Sequence, residues 1–206
     1  MIYFLLAILV LILVSILGGF IYVYKKISRR YFVLLALTVI GGPYIAFKLY
    51  EHQFMLEAVP DALGVNSISY NKEESWGFGP GGNEAGIRLY PMPENTSQDI
   101  KKRGMEFFRG MPENKNQQSR SSRGHYEDWA VTPIKPTYRW AVNKESGRMD
   151  ICDKICGDAF GIDVKPVVQE VVNGIINNPG SYYAHGRTGL IVVSPEKNLV
   201  VYFYSK

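Results

Sequence analysis

Apolar and polar positions divide this chain sharply at Glu51. Ile2 to Tyr24 and Tyr31 to Tyr50 are almost unbroken apolar runs rich in Leu, Ile and Val, separated only by Lys25-Lys26-Ile27-Ser28-Arg29-Arg30. Each run meets the ~20 residues that an α-helix needs to cross a bilayer. Lys48 stands near an end, where its ammonium can reach the headgroups. A cleaved leader fits less well: no basic stretch precedes the first run, that run exceeds an ordinary leader's apolar core, and no Ala-x-Ala site follows. The pattern therefore predicts a helical hairpin over residues 1–50, with spans at about 2–24 and 31–50 and a turn at 25–30.

Beyond Glu51 the apolar positions come in short periodic groups, as in a water-soluble domain over residues 51–206. Glu51 to Leu63 prolongs the second helix up to Pro60-Asp61. Short β-type runs follow at Ser67 to Tyr70 and Gly86 to Tyr90. A helix is predicted over Ser97 to Gly110, capped by Thr96 or Ser97, with Ile100, Gly104, Phe107, Phe108 and Met111 on one face. Pro112 to Gly124 reads as an exposed loop. Tyr126 to Val131 and Tyr138 to Val142 read as strands, with Pro133 and Pro136 marking an edge or a bend. From Asp163 on, Val167, Val168, Val171, Val172, Ile175 and Ile176 recur at helical spacing until Asn177-Asn178-Pro179-Gly180. A hairpin closes the chain, Gly189 to Val193 and Leu199 to Tyr204 around a turn at Ser194-Pro195-Glu196-Lys197-Asn198. The expected fold is α+β: a mainly antiparallel sheet of five to six strands with two packing helices.

Charge changes this picture in two ways. Lys25, Lys26, Arg29 and Arg30 crowd the turn of the hairpin, and the positive-inside rule holds such a turn in the cytoplasm. The domain after residue 50 is then expected outside it, in the periplasm of a bacterium whose inner membrane holds the hairpin. Five of the 23 Lys and Arg precede Glu51, leaving 18 against 19 acids, so the domain itself is near −1. Its balance excludes the clustered basic face that a nucleic-acid partner needs. Gly18-Gly19 and Gly41-Gly42-Pro43 permit close helix packing and a kink, although a plain anchor with tolerated glycines explains them as well. No ionisable residue lies deep in either run, so a pump or ion relay has nothing to carry it.

Candidate chemistry is sparse. Gly77-Phe78-Gly79-Pro80-Gly81-Gly82 matches the dinucleotide fingerprint in letters, but a β-type run rather than a helix follows it, so no helix N-terminus is there for a pyrophosphate. The same stretch combines permissive glycines with aromatic area, and it gives a candidate binding surface of Trp76, Phe78, Gly79, Gly81, Gly82, Asn83 and Glu84, although a long hairpin loop whose aromatics tuck into the domain core explains it as well. Cys152 and Cys156, the two cysteines, are expected to form a disulfide in an oxidising compartment. Their spacing is neither Cys-x-x-Cys nor that of a zinc site. His125 and Glu127 would share a strand face, His185 falls in a turn-like stretch, and no Gly-x-Ser-x-Gly elbow exists.

No catalytic residue, metal or cofactor is assigned on these grounds. The expected function is a membrane-anchored extracytoplasmic protein-binding module, of immunity or inhibitor type or a subunit of an envelope complex. Its partners would be the lipid bilayer and another envelope protein. The alternatives are an envelope enzyme acting on lipid or peptidoglycan, with Glu73, Glu74, Glu127 and Asp128 as first candidates, and a structural, homo-oligomeric membrane protein.

Overall fold

The computed structural model describes residues 2–76, 83–112, 124–137, 140–144, 146–156, 161–187 and 189–205. The chain forms two compact units, Met1–Gln53 and Phe54–Lys206.

The first unit is helical. α1 spans Ile2–Lys26 and α2 spans Arg29–Ala36; a π-helical turn, Leu37–Gly41, joins α2 to α3, Gly42–Leu56. Lys25 and Lys26 occupy the last turn of α1, where positive charge opposes the negative end of the helix dipole. Ser28 adopts extended angles and breaks the helix there. Phe32 of α2 packs edge-on against Tyr24 and Phe20 of α1, at centroid distances of 5.0 and 6.0 Å. The π turn stands directly before Pro43, which lacks an N–H and whose ring crowds the carbonyl four residues back; widening the preceding turn relieves both problems. Thr38 Oγ1 donates to the Leu34 carbonyl within that stretch at 2.9 Å. Arg29–Leu56, 28 residues with a mean hydropathy of 1.9 in its most apolar window, is the one helix among the described residues long and apolar enough to cross a membrane, and none of that window is buried.

The second unit is α+β. Its six strands are β1 (Tyr70–Trp76), β2 (Asn83–Pro91), β3 (Ala130–Val131), β4 (Tyr182–His185), β5 (Leu190–Ser194) and β6 (Leu199–Ser205). They form one antiparallel sheet in the order β1-β2-β6-β5-β4-β3. Helices cover both faces. α6 (Ile151–Ile155) and α7 (Pro166–Asn177) set Ile151, Ile155, Val172, Ile175 and Ile176 against Ala85, Ile87, Val192, Val201 and Phe203. On the opposite face, α4 (Glu94–Arg103) and α5 (Met105–Arg109) set Ile100, Phe107 and Phe108 with Leu63 against Tyr90, Ile191, Val193, Val200 and Tyr202. Because both faces are covered, β5 and β6 read as continuous apolar runs rather than alternating ones. Each such side chain contributes about 1.5–3 kcal/mol when fully buried. Tyr90 and Tyr126 hydroxyls, buried on this second face, donate to the Met55 and Ala58 carbonyls at 2.8 and 2.7 Å, satisfying acceptors left open where α3 ends.

Several expected elements differ in detail. The first strand begins at Tyr70 rather than Ser67 and runs on through Lys72, Glu73 and Glu74; as an edge strand it tolerates the charges that made it look like a loop. The helix expected over Ser97 to Gly110 starts at Glu94, behind Pro93, and breaks at Gly104 (φ 59°, ψ −133°). Ser97, expected as a cap, is instead buried in the first turns of α4, its hydroxyl without a partner. Of Tyr126 to Val131 only Ala130–Val131 is strand, with Tyr126 bridged to Gly186. Trp140 pairs with Thr137 in an isolated bridge, and Tyr138 lies outside the described residues, as do residues 113–123 of the expected loop. α7 starts at Pro166, not Asp163, because proline suits a first helical turn. His185 ends β4 rather than sitting in a turn.

Candidate functional site

Arg88 is the one charged side chain buried among the described residues, with 6% of its surface exposed. It interrupts the apolar stretch of β2, and the sheet register explains its partners. Arg88 stands opposite Asn71 of β1 and Tyr202 of β6, and Gly86 stands opposite Glu73 and Tyr204. Residues 86 and 88 share a face, so these side chains converge. Arg88 Nη2 donates to Glu73 Oε2 at 2.6 Å and to Tyr204 Oη at 3.2 Å, while Nε donates to Asn71 Oδ1 at 3.2 Å. The Tyr204 ring reaches the guanidinium, 5.4 Å from its centroid, by lying across Gly86; a Cβ there would stand 2.9 Å from the ring. Tyr202 stacks on Tyr204 at 5.5 Å.

The electrostatics of the cluster favour a fixed ion pair. Burial works against the Arg88 charge, but Tyr204, Tyr90 and Glu73 outweigh it and raise the pKa. Burial also raises the Tyr204 phenol, against the opposing pull of Arg88, and pushes Tyr90 up to about 12. Both phenols are thus protonated at neutral pH and neither can serve as a base. The guanidinium already has a carboxylate, a phenol and an amide, so the cluster ties the first half of β1 to the rest of the sheet, away from the end where Trp76 pairs with Asn83.

Of the predicted binding residues, Phe78, Gly79, Gly81 and Gly82 lie outside the described residues. Trp76 ends β1, Asn83 begins β2, and the two pair in register. Glu84, half-buried on β2, lies on the face of Arg88, and its charge is felt at Tyr204. Arg88, Asn71 and Tyr204 did not figure in the sequence expectation. A single arginine inside the run Ala85-Gly86-Ile87-Arg88-Leu89-Tyr90 was the available signal.

A second polar cluster joins α6 and α7. Asp150 caps α6 by accepting from the Cys152 N–H at 2.9 Å, and Gln169 Nε2 and Asn173 Nδ2 both donate to Asp150 Oδ1 at 3.1 Å. Burial disfavours the carboxylate, but these donors prevail and hold its pKa below the ordinary value. The Cys152–Cys156 disulfide closes α6, with 4.4 Å between its Cα atoms, and fits an oxidising compartment. His125 Nε2 lies 2.9 Å from Glu127 Oε1 at an exposed site, outside the strands. Burial and the charge of Lys154 lower the His185 pKa. Among the described residues no three His, Cys, Asp or Glu side chains converge as metal ligands would. Compared with known protein families, with curated proteins and with solved structures, the chain matches none.

Proposed function

We propose that this chain is a multi-pass protein of a bacterial inner membrane, in which α1 and the helix Arg29–Leu56 form a two-helix hairpin. The second unit is then a periplasmic module that binds another protein, as an immunity-type inhibitor or as a subunit of an envelope complex. The observation that carries the reading is the fully exposed apolar surface of Arg29–Leu56, where Leu37, Ile40 and Leu49 are each more than 60% exposed. Exposed apolar area on that scale is stable in lipid and not in water. The edge-to-face packing of Phe32 on Phe20 and Tyr24 supports antiparallel α1 and α2. Lys25, Lys26, Arg29 and Arg30 at their junction support a cytoplasmic turn. The disulfide supports delivery of the second unit to an oxidising space. Protein binding rather than catalysis is supported by the structural engagement of Arg88, the most buried charge described, with Glu73, Tyr204 and Asn71.

Two measurements test this. Alkaline phosphatase and a fluorescent protein are each fused after Lys206: phosphatase activity without fluorescence is expected, and the reverse result places the domain in the cytosol and ends the proposal. Crosslinking in intact cells, extraction in mild detergent and mass spectrometry should then return a second polypeptide in comparable amount. A chain recovered alone, or with copies of itself, removes the binding role.

A further inference from the structure

α7 has a face that the sheet does not use. Val172, Ile175 and Ile176 point into the core, whereas Val167 is 72% and Val171 36% exposed. Beside Val171 a cavity of about 470 Å³ opens between the C-terminal half of α7 and the turn that joins β5 to β6. That is within the size range of ligand-binding clefts, ~300–1,000 Å³. Its floor is open at Gly174, where an added Cβ would meet no atom within 4 Å.

The base of the cavity is polar. Leu190 and Val192 of β5 and Tyr183 of β4 belong to the core on the α7 side, so alternation puts Ser194 and Ser181 on that side too. Both line the cavity and both residues are buried, at 3% and 5% exposure. Neither hydroxyl is among the buried side-chain atoms left without a partner, so each opens onto the cavity, where water or a ligand can reach it. The rim carries Glu170, Glu196 and Lys197, two carboxylates against one ammonium. The Glu196 carboxylate lies beside Gly180, 3.8 Å from where a Cβ would stand.

We propose that this groove docks a short peptide segment of a partner protein, with an apolar side chain over Val171 and Gly174, backbone groups on Ser181 and Ser194, and a Lys or Arg drawn to Glu170 and Glu196. An apolar floor selects the first side chain, paired hydroxyls suit an amide backbone, and the acidic rim selects the second. The inference deepens the binding-module reading and rests on it for the partner's being a protein.

The test uses the full-length chain in detergent and two photoreactive probes, acetyl-Val-Lys-Val-amide and acetyl-Val-Glu-Val-amide, each carrying a terminal benzophenone. After irradiation and digestion, the Lys probe should label peptides covering 167–181 or 194–197 about tenfold more than the Glu probe, the ratio that one rim ion pair supplies. The variant Gly174→Leu, which fills the floor from a site with free space, should melt no lower than the parent and lose that labelling. Glu170→Gln with Glu196→Gln should bring the two probes level. Equal labelling by both probes in the parent, labelling that survives Gly174→Leu, or no labelling of these peptides overturns the proposal, the last leaving the hydroxyls to water. Membrane orientation is not read by this experiment, so its failure and a failure of the fusion test are distinct.

Discussion

Asn177 and Met149 exchange two hydrogen bonds in the manner of paired strands. The Met149 N–H donates to Asn177 Oδ1 at 2.9 Å, and Asn177 Nδ2 donates to the Met149 carbonyl at 2.7 Å. One turn back, Asn173 Oδ1 accepts from the Ile151 N–H at 2.9 Å while its Nδ2 holds Asp150. Gln169, Asn173 and Asn177, four residues apart, thus line one stripe of α7; Asn173 and Asn177 satisfy backbone groups of Ile151 and Met149, and Gln169 donates to the Asp150 carboxylate.

Asn177→Ala removes both bonds and leaves a donor and an acceptor unpaired at a half-buried site. A loss of about 2–6 kcal/mol is expected, at about 1–3 kcal/mol for each stranded group. Chemical unfolding followed by tryptophan fluorescence measures it; Trp140, whose Nε1 donates to the Asp150 carbonyl at 2.9 Å, reports on this region. An unchanged midpoint would show that water replaces the amide.

Glu73→Gln takes the counter-charge from a guanidinium that is itself buried. Breaking a buried pair costs about 3–5 kcal/mol, but Glu73 is 38% exposed, and solvent screening reduces the expected loss to about 1–2 kcal/mol. The same cluster sets an alkaline limit. The Tyr90 and Tyr204 phenols are raised above their ordinary 10.0, so the folded chain keeps protons that the unfolded chain sheds. Stability from these groups is full below pH 10 and is lost as pH rises toward the folded values. Melting curves from pH 9 to 11 should show the decline, and Tyr204→Phe should make it shallower.

Acid acts through different groups. Asp150 and His185 are held below their ordinary 3.8 and 6.5, so the unfolded chain binds more protons as pH falls. Their contribution is present above those unfolded values and is lost progressively beneath them. His185→Gln should flatten the pH dependence of melting just under 6.5, and Asp150→Asn that under 3.8. Parallel slopes in parent and variants would contradict the assignment.

Two glycines should respond to alanine with opposite signs. Gly174 sits inside α7 with open space around it, and Gly174→Ala is expected to stabilise by about 0.8–1 kcal/mol through helix propensity. Gly189 lies against the Phe203 carbonyl, 2.6 Å from where its Cβ would be, and Gly189→Ala should destabilise by about 1–3 kcal/mol through overpacking. Melting temperatures of the two variants decide both.

How far the sequence reveals this structure depends on whether a pattern is local. β5, β6 and α7 were legible because their apolar periodicity and the residues bounding them agree. β1 was cut short because charged residues on an outermost strand imitate a loop, and its pairing with β2 is a long-range fact. The break at Gly104 follows from a conformation, φ 59° and ψ −133°, that favours glycine but that glycine does not announce. The disulfide was legible from two cysteines and a compartment argument. The Arg88 cluster was not, since Glu73 and Tyr204 meet it only through the register of three strands.

β1 ends the sheet and carries Lys72, Glu73 and Glu74 in succession, with Lys72 Nζ 3.4 Å from Glu74 Oε1. In the membrane-anchored state proposed above, copies sharing a bilayer would collide sideways more often, and an unfinished sheet is the usual starting point for fibrous assembly. Hydrated charges along that border make joining it to a neighbour unfavourable. Swapping them for valine and threonine would convert a crowded population of separate molecules into an aggregating one.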